Sequence, residues 1–367
     1  MALFNPCRVG DVEVKTRVAM APMTRGRADL DGNVPNAIMK EYYESRAAGG
    51  ASLIITEGSF IMPECVGWYG APGIWSDAQV EAWKPVVDAV HNKGSVIVLQ
   101  LWHMGRQGHS DLSGGIPVVS SSPVPIKGEI HTTPGIKKPG EVPHELTVDE
   151  IATIVKAYGA AAQNAMRAGF DLVEIHAANG YLVDQFLQSC CNQRNDEYGG
   201  SVANRSRFLV EVVDEVLCHL PREKVGIRFS PNGVFGEMGS DDGEEQFTEA
   251  IKIVGQKNLA YVHIMDGLGF GFHDKYPQFT LEKTRAILKS NGADNTRIIG
   301  NIGYDKIEAE KQISEGHADL IAFGRPFLNT PNFGEILLNG GTENPPLPMS
   351  LWYQGGTHGY VDCPVTE

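Results

Sequence analysis

The sequence predicts an α/β fold of the (β/α)8 TIM-barrel type, and two observations carry that prediction. Eight short runs rich in β-branched residues alternate with longer stretches of helical character, which is the pattern of βα units around a parallel sheet. The residues just past these runs are polar, and in a closed parallel barrel such positions converge on the face that holds the active site. A length of 367 residues would also allow two or three domains of about 100 to 200 residues. Single barrels run past about 250 residues, however, and no shift of composition or short repeat marks a boundary, so residues 1–367 read as one domain.

In chain order, the first predicted strand is 17–23 (RVAMAPM), followed by a helix over 36–48. The second strand is 52–56 (SLIIT) with a helix over 77–92, and the third is 95–101 (SVIVLQL). A long excursion over about 105–145, dense in Gly, Pro and Ser, interrupts the rhythm there and reads as an insertion on the active-site side. The alternation resumes with a helix over 148–168, a strand at 171–175 (DLVEI) and a helix over 201–219. Strands at 225–229 (VGIRF), 260–265 (AYVHIM), 297–300 (RIIG) and 319–323 (DLIAF) complete the eight, with helices over 243–257, 280–290 and 304–315 between them.

Composition narrows the function. Against 31 Lys and Arg stand 45 Asp and Glu, a net charge of −14, which disfavours nucleic acid as a partner. No apolar run approaches the roughly 18 residues of a membrane span, and the opening MALFNPCRVGDVEVKTR is charged where a signal peptide is apolar. A cytoplasmic protein without a membrane partner is expected. The six cysteines include no C-x-x-C, and the adjacent pair Cys190 and Cys191 is poorly placed for an ordinary disulfide. His103 and His109 come without a carboxylate triad or H-E-x-x-H, so no metal site is expected. No G-x-G-x-x-G follows an early strand, and the G-L-G-F-G-F run at 267–272 opens onto a loop.

The polar strand exits are Thr24, Glu57, Gln100, His176 with Asn179 and Tyr181, Arg228, Asn301 and Arg325. Past the fourth strand, E-I-H-A-A-N-G-Y-L places His176, Asn179 and Tyr181 within six residues. Imidazole and carboxamide can donate hydrogen bonds to a carbonyl oxygen, and a phenol can protonate a carbanion or enolate. The competing reading is that His176 and Asn179 cap the next helix while Tyr181 packs. Gly300, Gly303 and Gly324 beside Arg325, after the seventh and eighth strands, suit a phosphate or ordinary turns. Arg228 ends a buried strand and needs either a carboxylate such as Glu174 or an anionic ligand. Trp102, Trp352 and Tyr353 could wall a flat ligand or belong to the core.

These residues lie in motifs that closely resemble the Old Yellow Enzyme family of FMN-dependent ene-reductases, which includes the 12-oxophytodienoate reductases. The motifs are R-V-A-M-A-P-M-T-R at 17–25, A-P-G-I-W-S at 71–76, Q-L-W-H-M-G-R at 100–106, H-A-A-N-G-Y-L-x-x-Q-F at 176–186, N-D-x-Y-G-G-S-x-x-N-R-x-R-F at 195–208, F-G-R-P-F at 323–327 and Y-Q-G-G-T-H-G-Y-x-D at 353–362. The resemblance implies non-covalent FMN, with Pro22, Met23 and Thr24 against the isoalloxazine and Gln100 on its pyrimidine edge. Arg228 would lie beside N1 and O2, and Gly300, Asn301, Gly324 and Arg325 would bind the phosphate. It further implies that His176 and Asn179 hold a substrate carbonyl and Tyr181 donates the proton, with Trp102 and Tyr353 lining the pocket. Thr24 and the His/Asn pair look like the classical branch of the family. The implied activity is reduction of α,β-unsaturated carbonyl compounds by NADPH or NADH, with hydride passing from flavin N5 to the β-carbon and a proton from Tyr181 to the α-carbon. Quinones and nitro compounds are further candidates, and relatives occur as monomers and homodimers. Two rivals are an FMN barrel of another branch, which would be longer and carry an iron–sulfur cysteine cluster, and a flavin-free barrel lyase, which would want a strand-end Lys or a metal.

Overall fold

The computed structural model describes residues 1–267 and 271–366, so the middle of the 267–272 run, 268–270, lies outside the described residues. Eight parallel strands close a barrel: β1 (Val18–Met20), β2 (Leu53–Phe60), β3 (Val96–Trp102), β4 (Leu172–Ala177), β5 (Val225–Phe229), β6 (Tyr261–Met265), β7 (Arg297–Asn301) and β8 (Leu320–Phe323), with β8 pairing β1. The helices of the predicted alternation follow, among them Ala37–Ala48, Asp77–His91, Val148–Arg167, Gly243–Gln256, Leu281–Ser290 and Lys306–Ser314. Ser76 and Thr147 each start their helix with a reciprocal capping box.

Three departures have local causes. The first strand stops at Met20 because Ala21 donates its last ladder bond to Phe323 and Pro22 has no N–H to continue it. The second runs on to Phe60 across a register shift between Ile55 and Gly58. That bulge redirects Glu57: its carboxylate accepts from the backbone N–H groups of Arg25 (2.9 Å) and Gly26 (3.0 Å) and from the Tyr43 hydroxyl (3.2 Å). Glu57 is therefore a buried structural acid, and its inclusion among the converging strand exits is corrected. The predicted helix over 201–219 divides into Val202–Arg205 and Arg207–His219 at Ser206, whose hydroxyl bonds back to the Val202 carbonyl (2.8 Å).

An element absent from the sequence reading closes the far end of the barrel. The hairpin Cys7–Val9 and Val12–Val14 packs Cys7, Val9 and Val14 against inward-facing side chains such as Leu53, Val98, Leu172 and Leu320. A second and larger core lies between the sheet and its surrounding helices. Plugged below and packed within, the barrel leaves its C-terminal face for a ligand. The excursion after β3 contains an antiparallel hairpin, Glu129–Thr133 with Ile136–Pro139, and a short pairing of Val119–Ser120 with His144–Glu145.

Candidate active site

A cavity of about 410 Å³ opens at the C-terminal ends of the strands. Pro22, Met23 and Thr24 line it after β1, Asn179 and Tyr181 after β4, and Arg228 from β5. Asn301, Gly324 and Arg325 line it from β7 and β8, and Tyr353 from the C-terminal segment. Of the polar strand exits predicted to converge, six line it: Thr24, Asn179, Tyr181, Arg228, Asn301 and Arg325. Four others stand behind the wall. Gly300 is packing glycine, since a Cβ there would meet Leu281 Cδ1 at 2.6 Å. Trp102 stacks on Phe60 (centroids 5.0 Å, planes 8° apart) and meets the Tyr181 ring edge-on at 5.0 Å, and Gly58 leaves the space its indole fills. Gln100 and His176 are buried and do not line the cavity.

The turn after β4 is held through its backbone. Asn179 takes a left-handed conformation (φ 57°), as does Gly180 (φ 69°), a geometry that Asn tolerates better than most residues. The Asn179 N–H donates to Ser230 Oγ (2.8 Å), its carbonyl accepts from Gln107 Nε2, and the Gly180 N–H donates to Asp184 Oδ2 (2.8 Å). Gln185 Nε2 bonds the Gly180 carbonyl (2.7 Å) and the Met104 carbonyl (3.1 Å). The short helix Leu182–Leu187 starts at Tyr181 without a side-chain cap, from His176 and Asn179 or from any other residue, which decides against the capping reading of the pair. Ser230, Gln107, Asp184 and Gln185 were missed in the sequence because their contacts run to backbone, although Gln185 sits inside the H-A-A-N-G-Y-L-x-x-Q-F motif.

Electrostatics sort the titratable groups. Burial, Arg228 and His263 hold the His176 imidazole well below its ordinary value, so it is neutral, and its Nδ1 has no partner. Burial raises the Tyr181 phenol, with Tyr353 adding to the effect, so the proton stays on. The His176 and Tyr181 rings are 4.9 Å apart. Arg228 is pulled down to about 10 by burial and remains a cation. Its sequence-predicted carboxylate is not a direct partner: it donates to Asn301 Oδ1 (2.6 Å), and its Nε is buried without a partner. Asn301 in turn donates to the Ala322 carbonyl (2.7 Å). Trp68 and Phe235, which the sequence reading did not single out, also line the cavity, and Trp68 lies 5.0 Å from the Tyr353 ring. Trp352 lines it as well, with Arg325 over its ring at 5.8 Å.

His103 and His109 are used locally, each accepting a backbone N–H two residues on. Among the described residues no three His, Cys, Asp or Glu side chains group as a metal site would. The six cysteines are unpaired.

A pocket on the C-terminal face of a barrel, with a buried cation at one side and the left-handed Asn179–Gly180 turn with neutral donors at another, suits an anionic group and a small polarisable ligand. Comparison makes the class specific. The profile of the NADH:flavin oxidoreductase / NADH oxidase family matches residues 2–343. Chanoclavine-I aldehyde reductase fgaOx3 of Penicillium roqueforti is 39% identical over 366 residues, covering 98% of this chain and 95% of that protein. 12-Oxophytodienoate reductase 1 of rice, Oryza sativa subsp. japonica, is 35% identical over 376 residues, covering 100% and 93%. The solved Old Yellow Enzyme homologue from Zymomonas mobilis superimposes with a TM-score of 0.93 at 39% identity, each chain covered in full. The chain belongs to the Old Yellow Enzyme family of FMN-dependent NADH:flavin oxidoreductases. It is thus a flavoprotein oxidoreductase that takes its electrons from a reduced nicotinamide.

The residues present fit FMN. The unpartnered Arg228 Nε offers a donor to an anionic ring edge, and Gly324 keeps open a space where a Cβ would come 3.4 Å from Met23 Sδ. At Gly303 (φ 82°) nothing lies within 4 Å of a Cβ position, which leaves room for a phosphate.

Proposed function

We propose that this chain, as one FMN-binding unit, reduces the activated C=C bond of α,β-unsaturated carbonyl compounds, and reduces quinones or nitro compounds in the same pocket. Bound FMN supplies the hydride, after taking it from NADPH or NADH. Pro22, Met23, Thr24, Gln100 and Arg228 would hold its ring, and Asn301, Gly303, Gly324 and Arg325 its phosphate; Gly300 would act by packing behind them. The observation that carries the reading is the arrangement on β4: a neutral imidazole with a free nitrogen, a carboxamide fixed by a gripped backbone, and a protonated phenol 4.9 Å from the imidazole ring.

Each residue then has a task. His176 and Asn179 donate hydrogen bonds to the carbonyl oxygen as negative charge gathers there. A preorganised donor of this kind is worth about 2.7 to 4 kcal/mol in transition-state stabilisation. Tyr181 gives its proton to the α-carbon, and its raised affinity for that proton keeps the donor form populated until a strongly basic carbon needs it. Trp68, Phe235, Trp352 and Tyr353 shape the apolar body of the pocket, and Trp102 backs Tyr181. Unpaired thiols fit a reducing compartment such as the cytoplasm.

Tyr181→Phe tests the assignment because it keeps the ring and deletes one hydroxyl. Enone-driven reoxidation of the reduced enzyme should slow by about 10² to 10⁴, the usual contribution of a positioned general acid. Reduction by NADPH should keep its rate. Stopped-flow traces of the two half-reactions decide it: an unchanged enone step removes Tyr181 from the reaction, and a slowed NADPH step means that it orients the nicotinamide.

A further inference from the structure

A polar layer crosses the barrel interior, and three of its members, Glu174, Tyr261 and His263, have no part in the proposed reaction. Glu174 on β4 is fully buried. Its Oε1 accepts from Gln100 Nε2 (2.8 Å), and its Oε2 from the Tyr261 hydroxyl (3.1 Å) and His263 Nδ1 (2.9 Å). Strand register sets Gln100 beside Glu174, Glu174 beside Gly226, and Gly226 beside Tyr261. Glycine at 226 is what allows the reach, because a Cβ there would lie 2.2 Å from the Tyr261 ring. The phenol therefore crosses over β5 to the carboxylate. One row along, His176, Arg228 and His263 are in register, so the acid and the guanidinium occupy adjacent rows of the same interior. His263 and Arg228 hold Glu174 below the ordinary carboxylate range despite its burial, and the group is ionised. A buried charge with three donors from three residues is a built feature, since an acid left in such a place without them would be strongly destabilising.

An amide has a donor end and an acceptor end. With Nε2 on Glu174, the Gln100 amide is turned so that Oε1 points away, and Oε1 has no hydrogen bond among the described residues. We propose that Glu174 is a positioning residue for the flavin: it fixes the Gln100 amide so that Oε1 is offered to the N3–H of the pyrimidine edge, and its negative charge offsets that of Arg228. This rests on the reading of Gln100 and Arg228 as holders of that edge.

Three variants and two probes, FMN and N3-methyl-FMN, test it on the holoenzyme. Wild type should bind FMN about tenfold or more tighter than the methylated ring, the value of roughly one hydrogen bond. Gln100→Ala should bind FMN more weakly and lose the discrimination. Glu174→Leu, which removes the acceptor and the charge together, should also lose it, and its midpoint potential should move positive, because a negative charge near the ring has gone; a tenfold change in the relative affinity for reduced and oxidised FMN appears as about 30 mV for two electrons. Tyr261→Phe keeps the carboxylate but strips one donor from it, so discrimination should persist and the potential should move negative. A residue that only packs would not give shifts of opposite sign. Wild-type discrimination and potential in Glu174→Leu overturn the proposal. Should that variant not fold, an unchanged or positive shift in Tyr261→Phe overturns it. Wild-type affinity and discrimination in Gln100→Ala would instead show that the edge reading itself fails.

Discussion

Two walls of the cavity are built in different ways. The turn after β4 belongs to the barrel, and four side chains hold its peptide groups: Asp184 and Gln185 from the helix that follows it, and Gln107 and Ser230 from elsewhere in the chain. The wall carrying Trp352 and Tyr353 is a C-terminal segment whose regular structure near them is the 3-10 turn Met349–Leu351. Guanidinium groups secure it. Arg27 donates to the carbonyls of Leu351 (2.8 Å), Trp352 (2.8 Å), Gln354, Gly356 (3.3 Å) and His358 (3.4 Å), and Arg25 to those of Trp352 (2.8 Å) and Gly359 (2.8 Å). The difference teaches a division of labour. In the proposed reaction, the atoms that meet a developing charge sit on a turn gripped by short contacts within the barrel, whereas the wall that would fit the body of a ligand is tied through its carbonyls to two long arginine side chains and repacks more easily than a strand.

That division orders the expected effects. The largest belongs to the β4 turn, where Tyr181→Phe should cost the enone step about 10² to 10⁴. Arg27→Lys, which keeps the charge but loses the planar fork, should act on fit instead. It should raise KM for enones by up to about tenfold while kcat stays within about threefold, a difference read from KM against kcat. A fall in kcat equal to that of Tyr181→Phe would erase the distinction between the two walls.

The smallest effect concerns stability under the rigid wall. Burial pushes the Asp184 carboxyl up to about 7, and Asp266, bonded to the Tyr304 hydroxyl, also to about 7. The folded protein keeps these protons over a range where the unfolded chain, with an ordinary value of about 3.9, has released them. The stability they contribute is full below the unfolded value and is lost as pH rises through about 7, with a slope of at most about 1.4 kcal/mol per pH unit for each proton. Asp184→Asn keeps the shape and removes one of the two protons, so the fall in stability between about pH 4 and 7 should become shallower. Urea midpoints at pH 5 and 7 would show it; an unaltered slope would mean that Asp184 is ionised in the fold.

Much of this was legible in the sequence, for physical reasons. β-Branched runs separated by helical stretches report burial on both faces of parallel strands, and the β5 bounds 225–229 are reproduced in the structure. His176, Asn179 and Tyr181 were readable because a strand exit brings neighbours in sequence together in space. What was not legible depends on distant partners. The bulge at Thr56 and Glu57 needs the β3 register to exist, so Glu57 looked like a strand-exit acid. Gly226 looks like any strand glycine until Tyr261 lies across it. The hairpin at 7–14 is too short to show a period, and the Ser206 break leaves the helical pattern on both sides intact.

The central claim is that His176 and Asn179 form one oxyanion position on the rigid wall, and a phenol tests it most directly. A phenolate places a full negative charge where the enolate oxygen would develop it, without any chemistry. Titrated into the FMN-loaded, oxidised enzyme, a para-substituted phenol should bind with a long-wavelength charge-transfer band. In His176→Ala the band should weaken and the Kd should rise by about tenfold or more, as expected for a lost hydrogen bond to a charged group. Equal affinity and equal band intensity in the two proteins would contradict the account.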